Sequence, residues 1–96
     1  MKRLTTTDGI VSLLRDYDIR VILSNLYGYS KGMVTKCNDS YLVVLEESLC
    51  FDCLLESLKH ELCHILLGHL DDDTKTDEEK EVEVIYIMKG VNHDLS

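Results

Sequence analysis

An α+β fold is predicted for this 96-residue chain by three features of its pattern. A long apolar run from residue 54 to 70 keeps helical spacing. Short segments rich in β-branched residues are gathered in the middle, with Cys37-Asn38-Asp39-Ser40 between two of them. Separate helical patterns stand near each end. The expected architecture is a small sheet with a hairpin packed against a long helix, with an N-terminal helix and a C-terminal helix, all in one domain over residues 1–96.

The elements follow in order. Thr6 or Thr7 can cap a first helix whose apolar residues Ile10, Val11, Leu13, Leu14 and Tyr17 recur at helical spacing. Ile19-Arg20-Val21-Ile22-Leu23 reads as a strand. Residues 24–31, with Asn25, Gly28 and Ser30, read as a loop. Met33-Val34-Thr35-Lys36 and Tyr41-Leu42-Val43-Val44-Leu45 form the hairpin. The second of these is apolar on both faces, which suits a strand covered on both sides. Ser48 is the expected N-cap of the long helix, residues 49–70. Its stripe of Phe51, Leu54, Leu55, Leu58, Leu62, Ile65 and Leu66 faces the core. Thr76-Asp77-Glu78-Glu79 has the form of a capping box and opens a last helix through Met88. Gly90 is the expected stop, with a mobile tail after it.

Composition narrows the function. A net charge of −8 and a pI near 4.8 argue against a nucleic-acid surface, which needs a basic stripe. No apolar run is long enough to span a bilayer. Lys2 and Arg3 have no apolar stretch behind them, so no signal peptide is expected. Four cysteines then read as reduced thiols in a cytoplasmic protein. Cys50 and Cys53 have C-x-x-C spacing, but neither a second such pair nor a βαβ context accompanies them. They read as thiols near a helix start. Cys53, seven residues before His60, lies about 10 Å from it along a straight helix and cannot share its ligand point.

His60-Glu61-Leu62-Cys63-His64 carries the chemistry. Positions four apart on a helix point the same way, so His60 and His64 present two imidazoles to one point. They fall nearly opposite the apolar stripe, facing away from the core. Glu61 is placed to take a proton from a water there. A catalytic Zn²⁺ site wants a third protein ligand and an open position. His69 on a continuing helix falls about 140° from His64, among apolar residues, and reads as a helix-end or core histidine. Asp71, Asp72 and Asp73 read as a solvated turn, and His93 lies in the tail. Glu79, Glu81 and Glu83 of the last helix remain. Glu83 is preferred, because a carboxylate flanked by Val82, Val84 and Ile87 needs a compensating charge. Its alternative role is the polar side of an amphipathic helix.

His60-Glu61-Leu62-Cys63-His64-Ile65-Leu66-Leu67-Gly68-His69 resembles the His-Glu-Leu-Gly-His-x-x-x-Gly-His core of the ImmA/IrrE metallopeptidases. Glu81-Val82-Glu83-Val84-Ile85-Tyr86-Ile87-Met88 stands where that family has Glu-x-Glu-Ala-Asn-x-Phe-Ala. Cys63 replaces a glycine, and Val84-Ile85 replaces Ala-Asn. The resemblance implies a zincin-like minimal domain with His60, His64 and Glu83 as zinc ligands and Glu61 as general base. It implies a cytoplasmic endopeptidase that cleaves a helix-turn-helix transcriptional repressor of a phage or mobile element. The extended substrate would add a strand to the sheet edge. Tyr86, Tyr41, His69 or His93 would stabilise the oxyanion. The alternative is a catalytically inactive metal-binding module that regulates a basic partner by binding it.

Overall fold

The structure, a computed structural model, describes residues 2–94, with side chains over residues 3–89. A 3₁₀ turn, Lys2–Thr5, leads into α1 (Thr7–Asp16). Then come β1 (Ile19–Ser24), β2 (Gly32–Cys37), β3 (Ser40–Glu46), α2 (Phe51–Leu66) and α3 (Asp77–Asp94). The N-terminal helix, the sheet, the long histidine-bearing helix and the C-terminal helix have the zincin-like arrangement that was expected.

Thr6 caps α1, its hydroxyl accepting from the Gly9 amide at 3.0 Å. Gly9 also lets the 3₁₀ turn lie directly on the helix. A Cβ at that position would stand 2.2 Å from the Arg3 carbonyl oxygen. This close approach carries Leu4 into the core, where it is completely buried. Arg3 then reaches across to Asp16 at 2.5 Å.

The sheet has the order β1-β3-β2. β2 and β3 form the expected antiparallel hairpin, with Cys37 opposite Ser40 and Asn38 in the left-handed region at φ 56°. β1 runs parallel to β3, from Ile19 opposite Tyr41 to Ser24 opposite Glu46. The apolar run over residues 41–45 is therefore the central strand, and Val43 and Leu45 are buried. The Glu46 carboxylate ties the sheet end together, accepting from the amides of Leu26 at 2.7 Å and Ser48 at 2.9 Å. Those two bonds hold its pKa below the ordinary carboxylate value.

The long helix is shorter than its apolar run. Ser48 is engaged by Glu46, so Cys50 becomes the N-cap and Phe51, the first helical residue, is 76% exposed. At the other end Gly68 adopts φ 71°. The Gly68 amide bonds the Ile65 carbonyl at 3.1 Å, and the His69 amide bonds the His64 carbonyl at 3.1 Å. This is a Schellman cap, which terminates the helix where a left-handed glycine is available. Leu62, Cys63 and Ile65 of α2 meet Val43, Leu45, Ile10, Leu13 and Leu4 in the core, and Val84 and Met88 of α3 complete it.

The capping box that opens α3 forms reciprocally. The Thr76 hydroxyl accepts from the Glu79 amide, and the Glu79 carboxylate accepts from the Thr76 amide, each at 3.1 Å. α3 continues past Gly90 to Asp94. A single glycine inside a helix costs only about 1 kcal/mol, so it does not compel a stop. The helix thus takes in residues 91–94 of the expected tail; Leu95 and Ser96 lie outside the described residues.

Candidate metal centre

α2 and α3 pack against each other and bring three side chains to one point. His60 Nε2 lies 3.0 Å from Glu81 Oε2, and His64 Nε2 lies 2.8 Å from Glu81 Oε1. One ligand atom from each of these residues falls within 4.8 Å of the others. The two imidazoles stand edge to face, with centroids 5.1 Å apart, as a four-residue helical spacing dictates. His64 is nearly buried, His60 partly so, and Glu81 is half exposed. The cluster is therefore walled on one side and open on the other.

The chemistry of this donor set fits a divalent metal. Burial is the main influence on His64 and pushes its pKa down, favouring the neutral ring whose lone pair a metal needs. Glu81 supplies an anionic oxygen. Two imidazoles and a carboxylate are a common catalytic zinc set, leaving a fourth position for water or substrate.

Glu61 sits beside the cluster and is only 9% exposed. Burial drives its pKa up to about 7, while neighbouring His60 lowers it and Glu81 raises it. Its Cγ would lie 3.6 Å from a Cβ placed on Gly32, the first residue of β2. One groove of about 330 Å³ is lined by Lys31, Gly32, Cys53, His60 and Glu61. A second, of about 360 Å³, is lined by Gly32, Met33, Val34, Glu61, His64 and Glu81. Glu61 and Gly32 belong to both, so the edge strand β2 runs past the cluster from one groove to the other.

Among the expected site residues, His60, His64 and Glu61 come together. Glu83 does not join them, and Glu81 holds the position expected of it. Two residues along a helix is a rotation of about 200°, so the two glutamates cannot face the same point. Glu83 is instead paired with Lys75, which holds its carboxyl below the usual range, and its Oε2 is 3.5 Å from His69 Nε2. Glu79 is occupied by the capping box. Asp71 pairs with Lys36 at 2.8 Å, and Asp72 accepts from the Thr74 amide at 2.9 Å. The side chain of His93 lies outside those described. Tyr86 is 79% exposed on α3, and Tyr41 lies beneath the Lys36 ammonium.

His69 is the helix-end, core-bonded histidine that was expected, but the helix does not continue to reach it. The Schellman cap folds it back instead. The residue is 3% exposed, with its Nδ1 2.9 Å from Nδ1 of His64. The signal for this was Gly68, since a glycine just past a helix end places the next residue beneath the last turn.

No protein-family model matches the chain, and neither does any curated protein or solved structure compared with it. Among the described residues, no helix is long and apolar enough to cross a membrane. The molecule's own geometry gives a small α+β fold with a His60–His64–Glu81 cluster able to hold a divalent metal, in an arrangement consistent with zincin-like metallopeptidases.

Proposed function

We propose that this protein is a zinc-dependent endopeptidase of the ImmA/IrrE type, a single domain acting in the cytoplasm on a regulatory protein. The substrate class is a helix-turn-helix repressor of a phage or mobile element. The observation that carries the reading is the convergence of His60, His64 and Glu81 beside buried Glu61, with an edge strand alongside. His60, His64 and Glu81 would hold the metal. A bound zinc supplies Lewis acidity to the scissile carbonyl and acidifies the attacking water. Glu61 takes the proton of that water and delivers it to the leaving amine. Its elevated pKa suits a group that must both accept and release a proton near neutrality. β2 offers an unshared edge along which an extended substrate segment can add a strand.

The test is twofold. Protein purified without added zinc is analysed for metal, and a stoichiometric ion lost in His64→Ala is expected. The zinc-loaded protein is then incubated with repressor encoded beside its own gene, and a cut absent in Glu61→Gln is expected. Repressor control that survives Glu61→Gln unaltered would instead support the non-cleaving binding module.

A further inference from the structure

A buried polar chain runs back from His64, behind the cluster. His64 Nδ1 meets His69 Nδ1 at 2.9 Å. His69 Nε2 is buried and makes no hydrogen bond among the described residues. Glu83 Oε2 lies 3.5 Å from it, and the other Glu83 oxygen is held by Lys75. An unsatisfied buried nitrogen is destabilising, so an apolar residue would serve this helix end better if capping were its only task.

We propose, resting on the metal reading above, that His69 and Glu83 are positioning residues that fix His64 as a metal ligand through its Nε2. The proton bookkeeping of the chain leads there. A neutral His64 that gives its Nε2 lone pair to a metal carries its proton on Nδ1. That proton is donated to His69 Nδ1. His69 then carries its own proton on Nε2, directed at the Glu83 carboxylate. The His64 N–H then meets an acceptor, the His69 N–H points toward a carboxylate oxygen 3.5 Å away, and the chain ends on an anion anchored by Lys75. With the His64 proton on Nε2 and directed at Glu81, the order reverses. His69 donates from Nδ1, and its Nε2 lone pair is left facing a carboxylate. His69 Nε2 therefore turns a proton, rather than a lone pair, toward the Glu83 carboxylate only in the arrangement that frees His64 Nε2 for a metal. Histidine ligands commonly donate their second ring N–H to such a partner. Here the partner is a second imidazole backed by a carboxylate, delivered by the Schellman turn at Gly68.

The experiment compares wild type, His69→Leu, His69→Asn and Glu83→Gln. Zinc affinity is measured by competition with a chromophoric chelator, and the Co²⁺-substituted proteins are compared by visible absorption. A thermal melt followed by far-UV circular dichroism reports folding. His69→Leu is expected to weaken zinc binding about 10–100-fold and to shift the Co²⁺ bands. His69→Asn offers an amide oxygen to His64 Nδ1 and is expected to restore most of the affinity. Glu83→Gln is expected near the lower end of that range. A folded His69→Leu that binds zinc as tightly as wild type overturns the inference, as does an Asn variant no better than Leu. Loss as complete as in His64→Ala would make His69 a ligand and also overturns it. If His69→Leu fails to fold, Glu83→Gln decides, and unchanged affinity with unchanged Co²⁺ bands there overturns the proposal. Wild-type protein that takes up no zinc overturns the metal reading itself, an outcome distinct from all the others.

Discussion

Gly9→Ala should destabilise this protein, although alanine ordinarily improves a helix. The helical gain is at most about 1 kcal/mol, and less in the first turn, where Gly9 sits. Against it stands a Cβ 2.2 Å from the Arg3 carbonyl oxygen and 2.8 Å from the Arg3 carbonyl carbon and Cα. All three are backbone atoms, so no side chain can swing aside. The 3₁₀ turn must lift, and fully buried Leu4 lifts with it. Exposing a leucine forfeits about 1.5–3 kcal/mol, so the net loss is about 0.5–2 kcal/mol. At roughly 4–8 °C per kcal/mol for a chain of this size, the melting temperature should fall by about 2–16 °C. The same turn packs against α3, which carries Glu81, so zinc affinity should fall too. Thermal melts of wild type, Gly9→Ala and Leu4→Ala measure the first effect, and chelator competition measures the second. A Gly9→Ala protein that melts higher than wild type would refute the reasoning about this contact.

Other outcomes follow from the site and its cap. Burial makes Glu61 ionise less readily in the folded protein than an ordinary glutamate, its pKa pushed up to about 7. A raised folded-state pKa contributes stability that is fully present below the unfolded value and lost as pH rises through the folded one. In metal-free protein Glu61→Gln should therefore raise stability at about pH 8, by up to roughly 3 kcal/mol at about 1.4 kcal/mol per pKa unit, and leave it nearly unchanged near pH 4; urea titrations at both pH values check this. Gly68→Ala places a Cβ on a residue at φ 71° and should cost about 1–2 kcal/mol, lowering the melting temperature and weakening zinc binding as His69 shifts. Free zinc at about a hundred times its dissociation constant should stabilise the fold by about 2.7 kcal/mol, a gain that a chelator removes in a melt of wild type but not of His64→Ala. Glu81→Ala should weaken zinc binding more than Glu83→Ala, since only Glu81 reaches both imidazoles; titration of the two variants side by side decides it.

Local signals were the legible ones. The histidine spacing, the Asn38-Asp39 turn, the Thr6 cap and the Thr76–Glu79 box each involve residues within a few positions of one another, and each formed. The third carboxylate was not legible, for a physical reason. Val82, Val84, Ile85, Ile87 and Met88 surround α3 rather than lining one stripe, so the sequence does not say which side faces α2. Docking fixes the phase, burying Val84 and Met88 and leaving Val82 and Ile85 exposed. That rotation turns Glu81 to the histidines. The preference for Glu83 assumed that apolar sequence neighbours mean an apolar environment, but residues adjacent along a helix point in different directions. The length of α2 was misread because an apolar run can continue beyond a helix end, whereas a left-handed glycine ends it.

On the proposed endopeptidase reading, the edge position of β2 would constrain what can be cut. A backbone that pairs with β2 must arrive with its own amides and carbonyls unspent, so a segment already committed to a helix has first to be released from it. Main-chain pairing is largely indifferent to side-chain identity. Selection would then turn less on a particular residue pair at the scissile bond than on where the target chain loosens. A tightly folded target would resist, and a change that locally melts it would turn it into a substrate without any change in this protein.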